Sequence, residues 1–513
     1  MSKELPPVSN SLWMNKKMQT FPELEEDLET EVCVIGGGIA GVATAFILAK
    51  RGIPVVLIEG GRVGGGTTGY TTAKITSQHG LKYADLIKTF GEEKAQLYYD
   101  ANEDAIAWIE RMSKKLDIDC QFERQPSYVY ATTEEGKKEL EKEAEAYQKL
   151  GLDGRMTDKH DLPFDVKASL VMHDQAQFHP LCFLSKLLRY LEVENMPIYE
   201  NTRAVDIKRG KKPSVITEND NVITADHVVI ATHYPFKDLQ ALYVARLHVE
   251  RSYSIAVRLN GEPPPSMYLN AESPKRSLRR ALDHEGKPLL LIGGEGHTSG
   301  QQIDTLQSYQ NLRDYAVEHF DVASIPYRWS SQDVFTLDGV PYAGPMTPGK
   351  DDFFVATGFA KWGMTNGVAA AQIIADRIVD KRNPYANLYT PSRFTPSTDM
   401  KNVVKENMDV ARTFVKGKLD RRSRKKPEEL TSGEGAVVHV DGKRAGAYRD
   451  EKGKLTIVDT TCSHLGCELY WNNGEHSWDC PCHGSRFDTE GSVLEGPAVK
   501  PLKQLYYEPE DHS

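Results

Sequence analysis

No apolar run in this chain approaches the roughly 18 residues that a membrane-spanning helix needs. An excess of positive charge is missing too. The formal net charge is −10 and the pI is about 5.9, which argues against a nucleic-acid partner. The opening stretch, MSKELPPVSNSLWMNKK, has neither the apolar core of a signal peptide nor a twin-arginine pair, so a cytoplasmic protein is expected. Cysteine is scarce, with seven in 513 residues. Three of them, Cys33, Cys120 and Cys182, lie far apart in apolar surroundings and are expected to fill core. One core cannot hold a chain of this length, and two or three domains are expected.

The other four cysteines fall together between Cys462 and Ser485, in the two runs CSHLGC and CPCHGS. One residue separates Cys462 from His464, and two separate Cys480 from His483. Two thiolates on one iron and two imidazoles on the other form the ligand set of a Rieske [2Fe–2S] cluster. Exchanging thiolate for imidazole removes negative charge from that iron, which makes it the easier one to reduce. Read alone, these residues also suit a structural Cys2His2 zinc. Zinc leaves Cys467, Cys482, Gly466, Pro481 and Gly484 unexplained.

Residues 431–508 resemble a Rieske domain of the type that keeps a disulfide. The resemblance implies Cys462, His464, Cys480 and His483 as ligands, and Cys467 with Cys482 as the disulfide. It further implies that Ser485 donates a hydrogen bond toward a cluster sulfur, and that Gly496–Ala498 is the proline loop covering the cluster. High-potential members carry a tyrosine where this chain has Phe487, so one such donor is absent here. Short β-rich runs at 436–440, 455–459 and 503–508, separated by DG, KG and EG turns, predict a small all-β fold.

Near the N-terminus, EVCVI (31–35) runs directly into GGGIAG. Gly36, Gly38 and Gly41 then form G-x-G-x-x-G between a strand and a helix. The first allows the tight turn, the second lets a pyrophosphate approach the helix N-terminus, and the third lets the helix pack on the strand. After Gly52 a second strand ends at Glu59, placed to accept hydrogen bonds from a ribose. A glycine- and threonine-rich loop follows at 60–80, and it contains Thr67, Thr68 and Lys74.

That loop, together with ITADHVVIATHYP (223–235), TLDGVPYAGP (336–345) and the strand, turn and helix of 353–380, resembles the D-amino acid oxidase (DAO) family. Glycine and sarcosine oxidases belong to that family. Tyr234 stands where the family has a small residue. The resemblance implies an α/β, Rossmann-like FAD-binding fold of two interwoven domains over 31–380, ahead of the all-β Rieske domain. FAD contacts are expected at Gly36, Gly38, Gly41, Glu59, Thr67 and Thr68. The backbone of Gly363, Met364 and Thr365 is expected to face the negative pyrimidine side of a reduced flavin.

The FAD-binding parts are expected at about 31–82, 166–239 and 331–380, with a substrate domain from 83–165 and 240–330. Leu97, Ala101, Ala105, Trp108 and Met112 recur with helical period, and YVYA (128–131) reads as a strand. Lys74, Tyr253, His297, Trp329 and Lys361 are the candidates for meeting substrate. His179-Pro180 reads as a helix cap with proline at the first turn. Residues 381–430 read as a linker, extended through NPYANLYTPSRFTPS. An amphipathic helix over 399–419 and a basic run at 416–427 follow, a pattern compatible with an anionic membrane surface.

A second dinucleotide fingerprint is missing, because IGGEG (292–296) lacks the spacing. Electrons are therefore expected from an organic substrate rather than from a nicotinamide. The DAO resemblance implies an amine or amino acid that loses hydride to FAD. FAD can release the pair one electron at a time to a cluster. His464 and His483, expected to be exposed, would pass electrons to an unknown external acceptor, as a dehydrogenase rather than an oxidase. Oxidation of a hydroxy acid or polyol, or electron carriage without catalysis, are the competing readings. A Rieske oxygenase also needs a mononuclear iron on two histidines and a carboxylate. The only close histidine pair elsewhere, His173 and His179, lies in a stretch that the DAO likeness accounts for.

Overall fold

The computed structural model describes residues 3–239, 242–302, 304–393, 425–440 and 442–507. The strand β1 (Leu28–Ile35), the helix α1 (Ile39–Ala49) and the strand β2 (Val55–Ile58) form a parallel β-α-β unit. Every residue of α1 is buried, because the helix lies between the sheet and other helices and has no face left for water. On its other side β1 pairs in parallel with Val222–Ile230, and that strand pairs with Lys350–Thr357. These strands belong to an eight-stranded sheet. The closing helix Gly363–Ile378 packs against α1.

A nine-stranded sheet forms the second layer, and two of its strands change the expected partition. Ala168–Gln177, expected with the cofactor sheet, pairs instead with Glu123–Ala131. Nearly all of its residues are buried, Ser169, Gln175 and Gln177 among them, so its sequence carries no periodicity that tells one sheet from the other. Val322–Thr336 crosses the expected boundary at 330 without a break, because it pairs with Leu247–Leu259 along almost its whole length. Lys74–Ile75, inside the glycine-rich loop, also joins this sheet.

Local expectations fare well. In the helix Glu92–Lys115, Ala101, Ala105, Trp108 and Met112 are buried. His179 caps Pro180–Val193 and accepts the Cys182 N–H at 3.3 Å. The extended linker does not begin where expected. Ala386–Tyr389 is a helical turn with Leu388 and Tyr389 buried, and Arg393 pairs with Asp338 at 2.7 Å. Asp338 is the aspartate of the TLDGVPYAGP motif, so this segment is anchored to the first domain. The predicted amphipathic helix at 399–419 and most of the basic run lie outside the described residues. No helix among the described residues is long and apolar enough to cross a membrane.

The C-terminal domain has two small antiparallel sheets. One contains Gly435–Val440, Lys443–Arg449 and Leu455–Val458. The other contains Tyr470–Asn472, Ser477–Asp479, Arg486–Phe487 and Val493–Glu495. The β run expected at 503–508 is reduced to one bridge, Gln504 to Val458.

This domain docks on the N-terminal part through buried charge. Arg251 is fully enclosed and donates to Glu495 at 3.0 Å, with Asp479 at 3.8 Å. Arg486 holds the same two carboxylates at 2.9 and 3.1 Å. Around this quartet, Thr305 donates to Asn472 and Asn473, and Arg328 donates to the Gly474 carbonyl. The approach is close at Gly300, where a Cβ would fall 2.7 Å from the Pro481 nitrogen. Removing one member of a buried charge cluster leaves the others without compensation. Arg251→Ala is therefore expected to destabilise the docked form by about 3 kcal/mol. Amide exchange should speed up across 477–495 while α1 stays protected; unchanged exchange there would refute the clamp.

Candidate active site and metal centre

A cavity of about 1110 Å³ opens where the two large sheets meet. Its first wall follows from the glycine spacing. A Cβ on Gly41 would sit 1.9 Å from the Gly36 carbonyl oxygen, so only glycine lets α1 lie this close to the end of β1. Gly36 and Gly38 line the cavity, whereas Gly41 serves the packing behind it. Glu59 also lines the cavity, and its carboxylate accepts the N–H groups of Gly37 at 2.7 Å and Gly61 at 2.8 Å. Burial raises its pKa, and those two N–H groups oppose the shift.

Thr67 and Thr68 line the next stretch of wall. The Thr68 hydroxyl accepts the Ile39 N–H at 3.0 Å, capping α1 at a point where Gly38 offers no side chain. At the far end Gly363 and Met364 line the cavity, at the start of the closing helix. Thr365 turns its hydroxyl away to the Thr76 carbonyl. These positions offer what a dinucleotide requires: unobstructed backbone at one helix N-terminus, a carboxylate at the end of the second strand, and a second helix N-terminus across the cavity.

Of the candidates for meeting substrate, four line this cavity and one does not. Lys74 is buried and donates to the Tyr268 carbonyl at 2.7 Å. Burial, with Arg279 adding repulsion, lowers its pKa to about 7. Tyr253 and His297 stack and share a hydrogen bond of 3.0 Å. Lys361 lies 3.1 Å from Asp333 and 3.2 Å from Glu250. Burial works against its charge, but the two carboxylates outweigh it and raise its pKa. Trp329 is the exception: it is fully buried and donates its indole N–H to the Tyr70 carbonyl as part of the core.

Sequence reasoning missed several neighbours. His79, at the end of the glycine-rich loop, lines the cavity and stacks on Trp362. Burial lowers its pKa to about 3, so it is neutral. Glu250 and Asp333 gave no local signal, since they become visible only as partners of Lys361. Least visible of all was a wall made by the C-terminal domain, through Leu494, Glu495, Gly496, Ala498 and Val499. The expected proline loop thus closes the cavity.

Behind that loop lies the second site. Cys462 and Cys480 are buried, and a disulfide joins Cys467 to Cys482. The imidazoles of His464 and His483 stand 5.1 Å apart and perpendicular. The Nδ1 atoms of both are buried without a hydrogen-bond partner. Two orphaned imidazole nitrogens in the same two loops as buried Cys462 and Cys480 are a donor set suited to metal. The Ser485 hydroxyl accepts the Ala498 N–H at 3.0 Å and also reaches Cys462. The two histidines are not equivalent. His464 is half-buried, but His483 is only 5% exposed and meets Tyr234 of the first domain edge-on at 6.3 Å. The expectation that both are exposed fails for His483, because docking covers that face.

Known proteins agree with this layout. Residues 31–377 match the family described as FAD dependent oxidoreductase, DAO, and residues 423–506 match the Rieske [2Fe-2S] domain. The chain is 44% identical over 492 residues to YhfW of Bacillus subtilis (strain 168), a protein named for a Rieske 2Fe-2S iron-sulfur function, covering 95% of this chain and 96% of that one. The gamma-glutamylputrescine oxidoreductase of Escherichia coli (strain K12) is 22% identical, over 72% of this chain and 89% of its own. The solved glycine oxidase of Geobacillus kaustophilus shares the fold, with a TM-score of 0.60 at 19% identity, over 72% of this chain and 99% of that one.

Phe487 is fully buried in the same apolar cluster as Cys462 and Cys480. It has no O–H to offer a cluster sulfur, and each donor lost leaves more electron density on the cluster. Phe487→Tyr is expected to raise the midpoint potential by on the order of tens of millivolts, and Ser485→Ala to lower it. A redox titration in which the tyrosine variant keeps the original midpoint would contradict this account.

Proposed function

Because the chain belongs to the DAO family of FAD dependent oxidoreductases and ends in a Rieske [2Fe-2S] domain, we propose that it is a dehydrogenase for an amine or amino acid that passes electrons through its own cluster to an external acceptor. The observation that carries this reading is the shared wall. The loop over the metal centre is also one side of the flavin cavity, so the two redox sites are neighbours within one chain. The amine and amino acid names of the similar proteins favour that substrate class.

In this reading Gly36, Gly38, Glu59, Thr67, Thr68, Gly363 and Met364 hold FAD. Cys462, His464, Cys480 and His483 hold the [2Fe–2S] cluster. FAD, when bound, supplies the hydride acceptor that also releases electrons singly. The protein's own residues prepare the substrate. An amine arrives as an ammonium ion and must shed a proton before its carbon can give up hydride. Lys74, neutral above about pH 7, can accept that proton while the Tyr268 carbonyl keeps its amine in place. Lys361, held charged by Asp333 and Glu250, supplies fixed positive charge on the same wall. Tyr253 and His297 form a neutral hydrogen-bonded pair that can orient a polar group of the substrate. The half-buried His464 offers the route out to the acceptor.

Two measurements test this. With a panel of amines and amino acids under anaerobic conditions, Cys480→Ser should still bleach its flavin but fail to reduce an external one-electron acceptor. Acceptor turnover equal to that of the parent protein would put the cluster off the pathway. Flavin reduction should rise with pH through about 7, since protonated Lys74 cannot act as a base. In Lys74→Met that rise should move to the alkaline range of the substrate's own ammonium group; an unchanged profile would remove Lys74 from the proton step.

A further inference from the structure

Among the described contacts between the metal centre and the flavin cavity, which include Gln332 against Gly484, two lead to a ligand side chain. One is the loop Gly496–Ala498, which reaches Cys462 through Ser485. The other is Tyr234, which lines the cavity on one side and meets the His483 ring on the other. Three observations favour the second. The iron ligated by histidine carries less negative charge than the one ligated by cysteine, so an incoming electron settles on the histidine side. His483 is the imidazole that docking buries, whereas His464 keeps access to the outside. Tyr234 is also the position where this chain departs from the small residue of the DAO pattern, and it touches both the cavity and the ligand ring.

We propose that Tyr234 is a positioning residue that couples the flavin cavity to the cluster through His483, making His483 the electron inlet and His464 the outlet. This rests on the reading that flavin feeds the cluster within one chain. Each passage moves one electron. The reduced flavin is oxidised by one electron and releases a proton to solvent, while one cluster iron goes from ferric to ferrous. Tyr234 is not itself oxidised. Its ring provides the contact, and its hydroxyl lies 3.5 Å from the Tyr243 carbonyl. Burial raises the pKa of that phenol, which keeps its proton in place.

The route is tested without substrate turnover. In the protein carrying both cofactors, the flavin is photoreduced anaerobically, and arrival of the electron is followed by the cluster's paramagnetic resonance signal after rapid freezing. Tyr234→Leu and Tyr234→Met remove the ring while filling the space, and either suffices if the other holds less flavin. Both are expected to slow cluster reduction about tenfold. The cluster's midpoint potential and its resonance positions should remain those of the parent protein, which a general loosening of the domain would shift. Tyr234→Phe, which keeps the ring, should restore the fast phase. Equal rates in Leu, Met and parent proteins would overturn the proposal and move the route to the Gly496–Ala498 loop. A parent protein whose reduced flavin never reduces the cluster would overturn both this route and the reading beneath it.

Discussion

Arg251 carries a charge with no access to water, and two of its partners, Asp479 and Glu495, belong to the other end of the chain. An enclosed guanidinium is tolerable only when carboxylates neutralise it and hydrogen bonds satisfy its N–H groups. The same holds for Asp479 and Glu495, which need Arg251 as well as Arg486. The N-terminal part supplies one member of this quartet and the C-terminal domain the other three, so Arg251 has these carboxylates only in the docked form. Docking also sets the fine structure of the contact. It covers His483, brings Pro481 against Gly300, and turns the loop 494–499 into cavity wall. The relation between the two redox sites rests on this cluster of charges together with the Thr305 and Arg328 hydrogen bonds around it.

Much of the architecture was legible because the decisive signals are local. Gly36, Gly38 and Gly41 act within one turn, and the proposed metal ligands sit in two runs of six residues each. His179 caps the helix that begins at the next residue. Reasoning failed where the answer depends on distant parts of the chain. The strand Ala168–Gln177 mixes polar and apolar residues on two buried faces, so its partner could not be read from it. Trp329 looked available for substrate because alternation along a strand says which residues share a face, not which face the core takes. His483 looked exposed because its cover comes from Tyr234, nearly 250 residues earlier in the chain. Tyr234 itself was visible as a departure from a family pattern, but the reason for the departure required the docked domain.

Ionisable groups around the cavity show a division of labour that composition hides. Lys361 keeps its charge because Asp333 and Glu250 surround it, while Lys74, a few residues beyond Thr67 and Thr68 in the same loop, has no carboxylate among the groups that set its pKa. His79 is neutral for the same reason as Lys74, since burial costs more than its hydrogen bonds return. The cavity thus sets a lysine held charged by two carboxylates beside nitrogen bases that burial keeps from protonating.

The wall contributed by Leu494–Gly496, Ala498 and Val499 also bears on how the molecule is made. A ribosome delivers the chain from its N-terminus, and domains fold as they emerge. Both large sheets are complete by residue 357, so the cradle for the flavin exists while that side is still missing. The C-terminal domain arrives last and shuts it. A flavin bound early in biosynthesis would therefore gain its last wall only when the iron–sulfur lobe seats.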